Sequence, residues 1–166
     1  VWTHLVEIRK SFEPRAEELA KKYALAPYTM FIGSGALWGE TILFSMCILE
    51  EMQWKRTRYI TSADFFHGTL ELVEPGVPVF LFMGEDENRK LDERVRAFLN
   101  RGVTGDTDIN IIDTAEFAIP GLDEEFRVIV SPWILSSLVT DRLAAYYETV
   151  TKHNLNYRRY YHQFDY

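Results

Sequence analysis

Two adjacent carboxylates, Glu50 and Glu51, close a strongly apolar segment, and sixteen residues past the second stands His67, between Phe66 and Gly68. A carboxylate and an imidazole are side chains well suited to taking and returning a proton near neutral pH. The two acids fall at the C-terminal end of a predicted helix, where the dipole disfavours negative charge. One reading makes one of them a partly buried general base; the plainer reading is a solvated helix end, and periodicity does not choose between the two acids. His67 falls on a loop beside apolar surface, where a lone histidine is more often structural than catalytic.

Three other features bear on chemistry. Gly33-Ser34-Gly35 follows a predicted strand and opens a helix, so its N–H groups either face an anion or simply form a tight turn. Trp38 stands where GxGxxG needs its last glycine, which leaves a dinucleotide fingerprint unsupported. Arg158 and Arg159 supply two guanidinium groups, either for substrate oxygens or for a solvated surface. No HxH, HExxH or Cys/His spacing suggests a metal, and no cofactor is expected. The lone Cys47, set among apolar residues, reads as an inert core thiol.

The elements that must position these groups alternate. Leu5, Ile8, Phe12, Ala16, Leu19 and Ala20 recur at helical spacing over residues 3–24. YTMFIG (28–33) reads as a buried strand, and residues 36–54 as a helix apolar around most of its circumference. RTRYITSADFF supplies a strand and loop, HGTLELV a helical turn ended by Pro75-Gly76, and VPVFLFM a parallel-type strand. The segment EDENRKLDERVRAFLNRG is helical, DINIIDT a fourth strand, FRVIVSPW a fifth, and ILSSLVTDRLAAYYETV the last helix. Such alternation predicts an α/β fold, a three-layer sandwich around a mostly parallel sheet.

The 166 residues suit a single domain spanning 1–166. A hydrophobic content of 47% favours a packed core over disorder, and the net charge of −7 argues against nucleic acid as a partner. No apolar run reaches the length of a membrane span, the longest candidate being Ile42–Leu49, so no membrane association is expected. The N-terminus lacks signal-peptide features, which fits a cytoplasmic setting. It also lacks Met, so the chain is expected to be processed or part of a longer one.

Taken together, FIGSG, the helix ending in EEMQW and SADFFHGTLELVEPGVPVFLF resemble the second sugar isomerase (SIS) domain of double-SIS proteins, a flavodoxin-like fold. In that family the catalytic glutamate precedes its histidine by sixteen residues, so the resemblance selects Glu51 over Glu50 and pairs it with His67. Met52-Gln53-Trp54, Phe65-Phe66-His67-Gly68 and Arg158-Arg159-Tyr160 with a final aromatic look like the fructosamine 6-phosphate deglycases. Thr69 departs from the proline common after HG in isomerase-branch members.

The resemblance implies a phosphorylated amino-sugar substrate and a C-terminal tail (150–166) near the active site. It also implies a homo-oligomer with sites at subunit interfaces, His67 entering from a neighbouring subunit. The loop from Met83 to Asn88 is acidic and unsuited to phosphate, so phosphate is expected in a preceding SIS domain, this chain being the C-terminal half. Substrate contacts are expected from Gly33, Ser34, Gly35 and from Arg158 or Arg159. Two alternatives stay open: an aminosugar-phosphate isomerase of the glucosamine-6-phosphate synthase type, and a non-catalytic sugar-phosphate sensor.

Overall fold

The computed structural model describes residues 1–102 and 105–165. Four parallel strands, β1 (Thr29–Gly33), β2 (Thr57–Ile60), β3 (Val79–Met83) and β4 (Ile109–Asp113), lie in the order β2-β1-β3-β4. The register sets Phe31 opposite Tyr59 and Phe80, and Leu81 opposite Ile111. The central strands β1 and β3 are wholly buried, which is why both read as unbroken apolar runs rather than alternations. Residue parity assigns their side chains: Phe31, Phe80 and Phe82 enter one core, while Met30, Ile32, Val79, Leu81 and Met83 enter the other.

The Phe face carries α1 (Trp2–Tyr23), α2 and the C-terminal helices. α2 opens as a tight turn at Gly35–Leu37, runs as an α-helix over Trp38–Ile42 and widens to π winding over Leu43–Met52. The opposite face carries α3 (Arg89–Leu99) and two 3₁₀ turns, Asp64–His67 and Thr69–Leu72. Helical segments thus cover both faces of a parallel sheet, as the alternating pattern predicted. α1 buries Leu5, Ile8, Phe12, Ala16, Leu19, Ala20 and Tyr23, the face read from its spacing.

FRVIVSPW is not a strand. It belongs to α4 (Glu124–Leu135), which continues through a π-wound segment (Ser136–Leu143) into α5 (Ala144–Thr151). The β-branched residues suggested a strand, but burial of Val130, Ile134 and Leu135 at helical spacing outweighs that propensity. Glu124 and Glu125 in its first turn complement the helix dipole. The resulting helix, Glu124–Thr151, is long and apolar enough by length and composition to cross a membrane, a stretch hidden when it is divided in two. Its buried residues, Leu138, Val139 and Leu143 among them, join α1 in the core.

The π-wound part of α2 also differs from expectation, because it is not buried all round. Met46 is 38% exposed, and Ile42, Leu43 and Cys47 are half-buried, so Cys47 is not a core thiol.

At the C-terminal edge of the sheet a buried polar chain ties the elements together. Ser62 N donates to Ser34 Oγ (2.7 Å), Ser62 Oγ donates to Asp92 Oδ1, and Gly84 N donates to Asp92 Oδ2 (3.4 Å). Burial pushes the Asp92 carboxyl up from 3.8 to about 6, only partly offset by its hydrogen bond from Ser62. The folded state therefore holds a proton that the unfolded state has released. The stability from this group is complete below about pH 4 and is lost as pH rises through 6. Asp92→Asn should gain on wild type across that window by on the order of 3 kcal/mol, measured by urea unfolding at several pH values. A wild-type-to-variant difference that does not change with pH would contradict this.

Candidate active site

The two neighbouring acids at the end of α2 have different partners. Glu50 Oε1 accepts from Thr57 Oγ1 at the start of β2 (2.6 Å). Glu51 Oε1 instead meets Arg158 Nε of the C-terminal tail at 2.9 Å. π winding, with Gln53 N reaching Ile48 O, sets the aim of this last turn. Burial, followed by the charges of Glu51 and Glu50, pushes the Cys47 thiol up. Around the acids lies a cavity of about 410 Å³, walled by Glu50, Glu51, Trp54 and Lys55 and closed by Arg158, Arg159, Tyr160 and Tyr161.

The tail is held by the residues directly after Glu51. Gln53 is 4% exposed; its Nε2 donates to His153 O (2.6 Å) and its Oε1 accepts from Thr151 Oγ1 (2.7 Å). Trp54 turns into the left-handed region (φ 52°) and sets its ring against His153, whose own ring meets Tyr157. The Arg159 guanidinium lies 4.3 Å from the Trp54 ring centroid, a cation–π contact. Arg158 is held through Nη1 by the carbonyls of Leu155 (2.7 Å) and Tyr157 (2.9 Å). The two arginines, equivalent in the sequence, are therefore distinct: Arg158 engages Glu51 and Arg159 covers Trp54. Tyr166, the final aromatic, lies outside the described residues.

Gln53→Ala should cost about 1–3 kcal/mol, because the buried Gln53 amide supplies both of these hydrogen bonds to the tail, and should expose the tail to limited proteolysis. Unchanged stability and an unchanged cleavage rate after residue 151 would show that the clamp does not hold the tail.

The remaining predicted residues lie at the other edge of the sheet. α2 leaves the C-terminal end of β1 and runs back to its start, where Arg56 O accepts from Thr29 N. At about 1.5 Å per residue, that path separates Glu51 from the Gly33-Ser34-Gly35 turn by roughly 20–25 Å. His67 follows the C-terminal end of β2 in the turn Asp64–His67, beyond Ser62 and its bond to Ser34. Its ring is exposed, with no hydrogen-bond partner among the described residues. Phe65 is buried beneath it, Gly68 takes φ 135°, and Thr69 Oγ1 accepts from Arg58 at 3.5 Å. The chain brings Glu51, Arg158 and Arg159 together, but not His67.

The glycine turn is already filled. Asp86 Oδ2 accepts from Ala36 N at 2.6 Å, and a Cβ on Gly35 would stand 2.1 Å from that oxygen. Ser34 is buried and its hydroxyl accepts from Ser62 N. The acidic loop after β3 thus places its own carboxylate at the switch point between β1 and β3, where an open parallel sheet usually takes its ligand. Sequence reading missed Asp86 because the contact joins residues fifty apart. It missed the clamp for a similar reason, although MQW and RRY were legible as separate motifs. Among the described residues no group of three or more His, Cys, Asp or Glu could hold a metal ion.

No protein-family model matches the chain. It is 31% identical over 161 residues to the fructoselysine 6-phosphate deglycase of Escherichia coli K12, covering 95% of this chain and 43% of that protein. With the fructosamine deglycase of Bacillus subtilis it shares 29% identity over 148 residues, 87% of this chain and 43% of the relative. A B. subtilis structure described as a phosphosugar isomerase superposes with a TM-score of 0.90 at 26% identity, over 99% of this chain and 49% of its own. A Salmonella typhimurium structure of the same description gives 0.88 at 28% identity, with the same coverage. The chain therefore spans somewhat under half the length of these proteins.

Proposed function

This chain is a sugar isomerase (SIS) domain related to fructosamine deglycases, and from that premise we propose that it contributes Glu51 and His67 to the cleavage of a fructosamine 6-phosphate. The observation that carries this reading is Glu51 on a cavity walled by its own C-terminal tail. The substrate carries an amine on C1 beside a C2 ketone, so the C1 proton becomes acidic once the carbonyl is polarised. Glu51 takes that proton while His67 protonates the C2 oxygen, giving an enaminol. Return of a proton to C2 moves the double bond to C1=N. Water adds to C1, and the carbinolamine collapses to glucose 6-phosphate and the free amine.

Two features of the fold bear on this scheme. Glu51 is engaged by Arg158 at 2.9 Å, so the guanidinium must release the carboxylate before it accepts a proton. Glu51 and His67 occupy opposite edges of one sheet, which supports a composite site with His67 supplied by a second copy. We place the phosphate contacts in a preceding SIS domain, because Asp86 fills this chain's own switch point. The reaction is assigned to the cytoplasm.

The test uses the full-length protein with a fructosamine 6-phosphate in one assay and fructose 6-phosphate plus ammonia in another. Release of glucose 6-phosphate and amine from the first is expected. Turnover of the second alone would favour the synthase-type reaction, and sugar-phosphate binding with no turnover would favour a sensor.

A further inference from the structure

We propose that Lys55, Arg56 and Arg159, grouped around Trp54 beside Glu51, form an anion subsite that receives a carboxylate carried on the amine portion of the substrate. A second cavity, of about 340 Å³, is lined by Pro27, Trp54, Lys55, Arg56 and Arg159. It shares Trp54, Lys55 and Arg159 with the cavity that holds Glu51, so the two are adjoining compartments. Arg158, by contrast, is already neutralised by Glu51.

None of these three cations pairs with a carboxylate among the described residues, although most other arginines near an acid do. Lys55 is partly buried, and that burial lowers its affinity for the proton. Withdrawing an unpaired ammonium from water is costly and is repaid when an anion arrives. Arg159 lies over the indole and Trp54 holds a backbone conformation that costs a non-glycine residue energy, which sets the place of this pair, while Arg56 and Arg159 stay open to solvent at the mouth of the cavity.

The placement fits the reaction proposed above, on which this inference rests. Glu51 acts at C1, and the amine is bonded to C1, so its substituent leaves the first cavity within a few bonds of the base. An amino-acid substituent puts a carboxylate there, and guanidinium groups bind carboxylates in paired, directional hydrogen bonds. A neutral amine would leave the cations unanswered.

The experiment compares the 6-phosphorylated fructosamines of glycine and of glycinamide in the full-length protein, wild type and Lys55→Gln/Arg56→Gln. Wild type should prefer the glycine conjugate by about tenfold or more in kcat/KM, through KM, and the double variant should lose that preference. Equal use of both conjugates by wild type, or a preference that survives in the variant, overturns the proposal. A third substrate, the glycine conjugate without its phosphate, separates the sources of charge. Loss in the variant of discrimination for the 6-phosphate, instead of for the carboxylate, would make the cluster a phosphate site and overturn the assignment.

Binding is read independently by titrating glycine and following the Trp54 indole resonance. A shift that disappears in the double variant supports the subsite even if neither conjugate turns over, an outcome that would refute only the reaction. Absence of a shift in wild type overturns the subsite.

Discussion

Glu51→Gln in the full-length protein should lower amine release from a fructosamine 6-phosphate by roughly 10²–10⁴-fold, the usual contribution of a positioned general base. Glutamine keeps the volume and an oxygen that can still accept from Arg158 Nε, so the tail and the cavity wall stay in place. What it removes is the basic carboxylate. The loss should fall on kcat, with single-turnover rates dropping equally. Glu50→Gln should lose less, because Glu50 is committed to Thr57 at 2.6 Å. Near-normal turnover by Glu51→Gln would remove Glu51 from the mechanism, and a larger loss at Glu50 would exchange their roles.

His67→Ala should produce a loss of similar size, about 10²–10⁴-fold, for a different structural reason. The ring is exposed and has no hydrogen-bond partner among the described residues, so truncation should alter stability by less than about 0.5 kcal/mol. A merely structural histidine at this place would leave turnover intact. A severe loss of activity with an unchanged unfolding midpoint therefore assigns the ring a chemical role rather than a structural one. Turnover within a few-fold of wild type would show that the proton at the C2 oxygen comes from elsewhere.

Much of this arrangement was legible in the residues. The two central strands announced themselves because TMFIG and VFLFM are buried on both faces, and α1 did so because its apolar residues keep a three- and four-residue spacing. The C-terminal helix was misread where Val128, Ile129 and Val130 mimic a strand; only long-range packing reveals the helical face of Val130, Ile134 and Leu135. The apolar sequence of α2 overstated its burial, since one flank remains open at Met46.

The candidate site was legible in type but not in space. The resemblance to double-SIS proteins singled out Glu51 and His67, which the residues alone did not, yet between them lie the end of one helix and the whole of β2, which carries the chain from one sheet edge to the other. The anion-friendly look of Gly33-Ser34-Gly35 was local, while the carboxylate that fills it comes from Asp86 after β3. Nothing in a sequence marks Trp54 as left-handed, and the clamp that joins MQW to the tail depends on that turn.

The central claim, a composite site from two copies, is tested most directly by mixing two inactive variants. Glu51→Gln and His67→Ala proteins, combined so that subunits exchange, should regain about a quarter of wild-type activity, since half the dimers are mixed and each mixed dimer holds one intact site. Mixed dimers that form and stay as inactive as their parents would contradict it.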